Sequence, residues 1–250
     1  MKISNLTRGL KVLLILTIIA MTIPANSQNI PVVDQITTSE GIVNMHFIGH
    51  GSLMFDINGF VIHIDPVRSY GNYDNLPKAD LILVTHEHGD HLDLKLIEDL
   101  RKPGTIMYTN AISASKVSWA KIMKAGDTQE INKITIEAVP AYNIVNQRSP
   151  GQPFHPKGNG LGYILTIGEK RFYVAGDTEN TPEMKALKNI DVAFLPMNLP
   201  YTMTPEMVAD AAKAFKPKIL YPYHFGDTKT DEIIKLLKGT DIIVRIRNLK

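Results

Sequence analysis

The chain has 250 residues, 44% of them hydrophobic, a formal net charge of +2 and no cysteine. That length and apolar fraction suit one folded domain and exclude a disordered chain. A near-neutral balance without a Lys/Arg block excludes the footprint of a nucleic-acid binder, and the absence of thiols excludes disulfides and thiolate metal sites.

In chain order, Lys2, Arg8 and Lys11 precede an apolar run from Val12 to about Ala25, and Ala25-Asn26-Ser27 supplies a small-x-small cleavage site. This is the layout of a secretory signal peptide over 1–27, with an apolar run shorter than the roughly 20 residues of a spanning helix. The expectation is an exported protein, periplasmic or extracellular, with a single mature domain over 28–250 and no stable membrane span. "IVNMHFIGHGSLMFDINGFVIHIDP" then reads as strand, turn, strand, Asn58-Gly59 hairpin turn and strand. "LILV" reads as a buried strand and "LDLKLIEDLRK" as an amphipathic helix. Further strands are predicted at "TIMYT", "ITIEAV", "GYILTI", "RFYVAG", "VAFLPM", "ILYPYH" and "DIIVRI". Helices are predicted at "AISASKVSWAKIMKA", at "TPEMVADAAKAF" with Thr204 as cap and Pro205 in the first helical position, and at "DEIIKLLK". A strand-rich start followed by alternating helices and strands predicts an α/β molecule of layered sheets flanked by helices, with the chemistry along one edge.

The densest polar cluster is "THEHGDH", directly after "LILV". It places His86, His88, Asp90 and His91 within six residues at a strand end, where a rigid element can aim several side chains at one point. Imidazole nitrogen with carboxylate oxygen suits zinc, and less tightly manganese or iron. A metal site also needs ligands from elsewhere, and two other strand ends offer them: Asp177 in "FYVAGDTE" and His224 in "ILYPYHFG". Alone, Asp177 fits a turn or helix cap and His224 a buried, hydrogen-bonded histidine. Together with the cluster they become candidate ligands.

"HEHGDH" followed by "AGDT" and a late strand-end histidine resembles the metallo-β-lactamase superfamily, with its H-x-H-x-D-H signature. "IGHGSLMF" and "HIDP" are most similar to the branch of ascorbate-phosphate lactonase-like and N-acyl-phosphatidylethanolamine phospholipase D-like hydrolases. The resemblance implies an αββα sandwich with two divalent metal ions on the shared edge of its sheets. His86 and His88 would hold the first with a third histidine, Asp90, His91 and His224 the second, and Asp177 would bridge them. Asp90 would be both ligand and proton acceptor, and therefore the catalytic residue. The sequence departs from the lipase-like relatives at "AVPAYN", which puts Asn143 where they carry the third histidine; the next one is His155, in "FHPKGNGLGY". Either His155 reaches in from a longer loop, or the first site has two histidines.

Around this centre, alternation on "FVIHIDP" places Val61, His63 and Asp65 on one face, so Asp65 can take the ring N–H of a metal-bound histidine. His50 either faces the site or serves its Gly-His-Gly turn, Lys157 either binds a substrate anion or is solvated, and Tyr201, Tyr221 and Tyr223 either line a pocket or pack. His46 and His63 read as core or surface histidines. The expected function is a metal-dependent hydrolase that directs a metal-bound hydroxide at an ester, lactone or phosphodiester bond of a small-molecule or lipid-like substrate. Its alternatives are an iron-dependent redox enzyme of the same fold and a non-catalytic metal-dependent binding protein. Zinc is the first expectation for the metal.

Overall fold

Burial alternates along the first strands, and that pattern assembles them: Val43, Met45 and Phe47 are buried on one side while their neighbours stay partly open. The computed structural model describes residues 33–250; the signal peptide expected over 1–27 lies outside the described residues. A seven-stranded sheet comprises β1 (Val33–Thr38), β2 (Gly41–Gly49), β3 (Ser52–Ile57), β4 (Phe60–Ile64), β5 (Leu81–Leu83), β6 (Ile106–Thr109) and β7 (Lys121–Ile122), in that spatial order. The turn between β3 and β4 is Asn58-Gly59, with φ of 51° and 82°, as a tight hairpin requires.

The next strands are β8 (Thr128–Ile131) and β9 (Ile134–Ala141), then a small separate hairpin of β10 (Gln147–Ser149) and β11 (Gln152–Pro153). They are followed by β12 (Gly160–Ile167), β13 (Lys170–Val174), β14 (Val192–Pro196), β15 (Ile219–Tyr223) and β16 (Ile243–Val244). The second seven-stranded sheet has the order β16-β15-β14-β13-β12-β9-β8. The two inner faces share one core. Phe55 packs on Phe172 at 5.8 Å and on Phe194 at 5.9 Å between ring centroids, and Phe47 on Tyr221 at 5.1 Å. Truncating Phe55 to alanine is worth about 3–5 kcal/mol.

Helices cover the outer faces, giving the expected αββα layering. α1 (Leu94–Leu100), capped by Asp93 accepting from the Leu96 amide, buries Leu96, Ile97 and Leu100 in a separate cluster with Ile82, Val84 and Met107. α2 (Ala111–Ala114) and α3 (Pro182–Lys185) are single turns. α4 (Pro205–Phe215) starts as predicted, with the Thr204 hydroxyl accepting from the Met207 amide, and packs Phe215 on Tyr173. α5 (Asp231–Leu236) closes that layer. Among the described residues no helix is long and apolar enough to cross a membrane.

The helix expected at "AISASKVSWAKIMKA" is corrected: one turn forms, and Lys121–Ile122 pair as β7 alongside β6. The reason is that Val117 belongs to the α1 cluster and Met123 to the inter-sheet core, so the segment serves two cores that no single helical face reaches.

β4, β5 and β6 run parallel, as do β13, β14, β15 and β16. Their carboxyl ends therefore open on one edge, where α/β sheets present ligands. The two sheets are tied together there, the Leu161 amide donating to Thr85 O at 3.0 Å and the His224 amide to His50 O at 3.1 Å.

Candidate metal centre

After β5 the chain turns sharply, the amides of His91 and Leu92 both donating to His88 O at 3.0 and 2.9 Å. The turn spreads the cluster into two groups. In the first, His88 Nδ1 lies 3.1 Å from His86 Nε2 and 3.3 Å from His155 Nε2. In the second, Asp177 Oδ1 lies 3.3 Å from His91 Nε2 and 3.5 Å from His224 Nε2, and Asp90 Oδ2 lies 3.4 Å from His224 Nε2. Asp177 joins the groups, because its other oxygen, Oδ2, lies 3.3 Å from His155 Nε2 and 3.9 Å from His86 Nε2. His155 reaches the cluster from the loop that carries β10 and β11.

These donor atoms suit a shared cation better than one another. His91 Nε2, His224 Nε2 and Asp177 Oδ1 are buried without a hydrogen-bond partner among the described residues. Ligands about 2.0–2.1 Å from a tetrahedral zinc stand roughly 3.3 Å apart, and most neighbouring inward atoms lie 3.1–3.5 Å apart, with His91 Nε2 and Asp90 Oδ2 at 3.9 Å. The electrostatics agree. Burial would push the Asp177 carboxyl up, but the imidazoles of His224, His91 and His155 crowded around it hold it well below the usual range. For Asp90, burial is likewise outweighed by the nearby imidazoles of His224 and His50, which lower it. Burial and the neighbouring His91 keep His86 neutral, and burial with the neighbouring His155 lowers His88, so both offer lone pairs. His91 goes the other way: burial alone would lower it, yet Asp177 and Asp65 raise it well above its ordinary value.

A family profile described as a beta-lactamase superfamily domain matches residues 44–224, a span that contains every candidate ligand. The chain belongs to the metallo-β-lactamase superfamily. A UPF0173 metal-dependent hydrolase from Methanopyrus kandleri is 32% identical over 197 residues, covering 72% of this chain and 83% of that one. A crystal structure from Parabacteroides distasonis ATCC 8503, provisionally described as a metal-dependent hydrolase, is 50% identical with a TM-score of 0.84, covering 88% of this chain and 99% of that chain. At 24% identity, a metallo hydrolase from Ignicoccus hospitalis shares the fold with a TM-score of 0.67, over 83% of this chain and 95% of that one. The protein is thus a metal-dependent hydrolase of this superfamily.

Behind the inward atoms, each supporting residue has a traceable partner. Asp65 Oδ2 lies 2.8 Å from His91 Nδ1, and the same carboxylate accepts from the Thr85 amide at 2.7 Å and the Thr85 hydroxyl at 2.8 Å. Because Thr85 gives its only hydroxyl proton to Asp65, its oxygen is left to accept from His86 Nδ1 at 3.0 Å. His86 Nε2 then points its lone pair into the cluster. His50, at φ 51°, packs between Tyr70 and His224 with Nε2 3.5 Å from Asp90 Oδ2, beside the second group. The glycine after it leaves room for the site: a Cβ on Gly51 would stand 3.1 Å from His91 Cε1 and crowd that ring.

Two expectations end elsewhere. The Lys157 ammonium is taken by Glu183 at 2.8 Å and the Tyr142 hydroxyl at 3.2 Å, so it is not a free cation aimed at a substrate. Tyr223 packs: it is wholly buried, and its hydroxyl accepts from the Gly176 amide at 2.8 Å, holding the turn that presents Asp177. Tyr221 is committed to Asp34, whereas Tyr201 is exposed beside Phe154. His46 and His63 lie outside the centre, with His63 Nε2 3.0 Å from Pro77 O. Sequence reasoning missed Thr85, Asn143 as a partner rather than a lost ligand, and Glu179. Thr85 was accessible as the residue between the strand and the motif; Glu179 carried no local signal.

Proposed function

We propose that the centre holds two divalent cations, zinc first with manganese or iron as alternatives, and that the enzyme hydrolyses an ester, lactone or phosphodiester bond. The observation that carries this is the pair of ligand groups joined through the two oxygens of one buried aspartate, Asp177. When bound, such a pair supplies hydroxide near neutral pH and stabilises charge at the attacked centre. His86, His88 and His155 would hold one cation, Asp90, His91 and His224 the other, and Asp177 both. Asp90 is partly open, with 36% of its side chain exposed, so it can orient incoming water and accept its proton. Asp65 keeps the His91 ring in the orientation that turns Nε2 to the centre.

The substrate is proposed to be a small or lipid-like molecule. Ile144, Val145, Leu199 and Tyr201, on the two loops beside His155, are 46–70% exposed and offer an apolar surface next to the ligands. The leader-like segment extends the proposal to export into a periplasm or medium. The test is to strip the protein of metal, reload it with zinc, manganese or iron, and assay p-nitrophenyl esters, bis(p-nitrophenyl) phosphate and a γ-lactone. Turnover restored by metal on at least one class supports the reading. A chain that binds no metal, or a loaded one inert on all three, sinks it. Cell fractionation tests export, and a wholly cytoplasmic chain of full length would refute it.

A further inference from the structure

His155 reaches the centre on a loop, and a loop-borne ligand needs something to hold its ring. That hold begins at the neck of the loop, where β9 ends. The Asn143 amide donates to His155 O at 2.9 Å, and Asn143 Oδ1 accepts from the His155 amide at 2.7 Å. The second contact fixes which end of the Asn143 side chain is oxygen, because a backbone N–H can only donate. The same Oδ1 lies 2.8 Å from His155 Nδ1. Nδ1 must therefore carry the ring proton, and the Nε2 lone pair faces His88 Nδ1 and Asp177 Oδ2, each at 3.3 Å.

Asn143 is itself seated. Its Nδ2 donates to Glu179 Oε1 at 3.2 Å and to Tyr201 O at 2.9 Å. Glu179 is wholly buried and also accepts from the amides of Ile144, Val145 and Asn146 at 2.6–2.8 Å. One carboxylate thus pins the outgoing limb of the loop and the side chain that grips its returning end.

We propose that Asn143, seated by Glu179, is a positioning residue that locks His155 in its Nδ1-protonated tautomer and so sets the metal affinity of the first group. The inference rests on the metal-centre reading, but its first readout does not require metal. In the metal-free full-length chain, nitrogen-15 NMR of the His155 ring is expected to show the proton on Nδ1. Asn143→Leu, which removes the acceptor at similar volume, is expected to lose that preference. Titrated with zinc, Asn143→Leu is expected to weaken one of two binding steps by about 10–100-fold and leave the other unchanged. A proton on Nε2 in the parent overturns the proposal even if Asn143→Leu fails to fold, and so does a folded Asn143→Leu chain with parental zinc affinity at both steps. A parent that keeps Nδ1–H yet binds no zinc overturns both the affinity claim and the proposed function, whereas loaded protein inert on every substrate overturns the function alone.

Discussion

In the group built from Asp90, His91, Asp177 and His224, the His91 ring rests on a buried carboxylate, Asp65; in the group built from His86, His88 and His155, two rings rest on a hydroxyl and an amide, Thr85 and Asn143. The inward donors differ in the same sense. Two carboxylates face the second group, whereas the first shares only one oxygen of Asp177. A carboxylate behind an imidazole raises its basicity, and a carboxylate in front adds charge, so the second group should fill first and hold its cation longer. The difference teaches that one motif can serve two ligand sets of unequal strength, set by what stands behind each ring.

The largest effect should come where the two groups meet. Asp177→Asn removes the charge both share, and is expected to weaken metal binding at both by more than about a hundredfold, beyond what the loss of an outer partner costs; mass spectrometry of metal content per chain reads this directly. Next, His155→Ala is expected to lower the content from about two ions to about one, with zinc lost from the weaker group. If the remaining ion is instead the more weakly held one, the ranking of the groups is wrong. Asp65→Asn keeps the shape but removes the charge behind His91, and is expected to cost about 10–100-fold in affinity at the second group only, measured by competition with a chelating dye.

The smallest expected effect concerns a buried histidine with no carboxylate at all. Burial lowers His63 from 6.5 to about 4, with its Nε2–H on Pro77 O. Its folded pKa lies below its unfolded one, so between those values the unfolded chain binds more protons and stability falls as pH falls. By pH 5.5 this contributes a loss of about 1 kcal/mol, complete near the folded pKa and absent above the unfolded one. His63→Gln is expected to remove this part of the pH slope of the urea midpoint; an unchanged slope would show that His63 stays neutral for no thermodynamic cost.

Local chemistry made much of this protein readable. The Asn58-Gly59 turn, the Thr204-Pro205 helix start, the strand before His86 and the crowding of His86, His88, Asp90 and His91 all lie within a few residues of their causes. Asp65 was reachable as well, since alternation along β4 carries it off the inward face occupied by Ile62 and Ile64. The misread helix after Asn110 failed because apolar spacing counts hydrophobic residues without saying which core each enters.

By itself, then, the sequence determined the strand-end cluster, its imidazole and carboxylate chemistry and the layered α/β architecture, because periodicity, turn residues and donor types act over a few positions. Only the tertiary structure decided that His155 meets His88, that Asp177 spans both groups, that Glu183 claims Lys157 and that Glu179 seats Asn143. Those pairings join residues far apart in the chain, His88 and His155 by 67 positions and His91 and Asp177 by 86. They exist because two sheets pack face to face and bring their strand ends to one edge, a distance relation that no local pattern records.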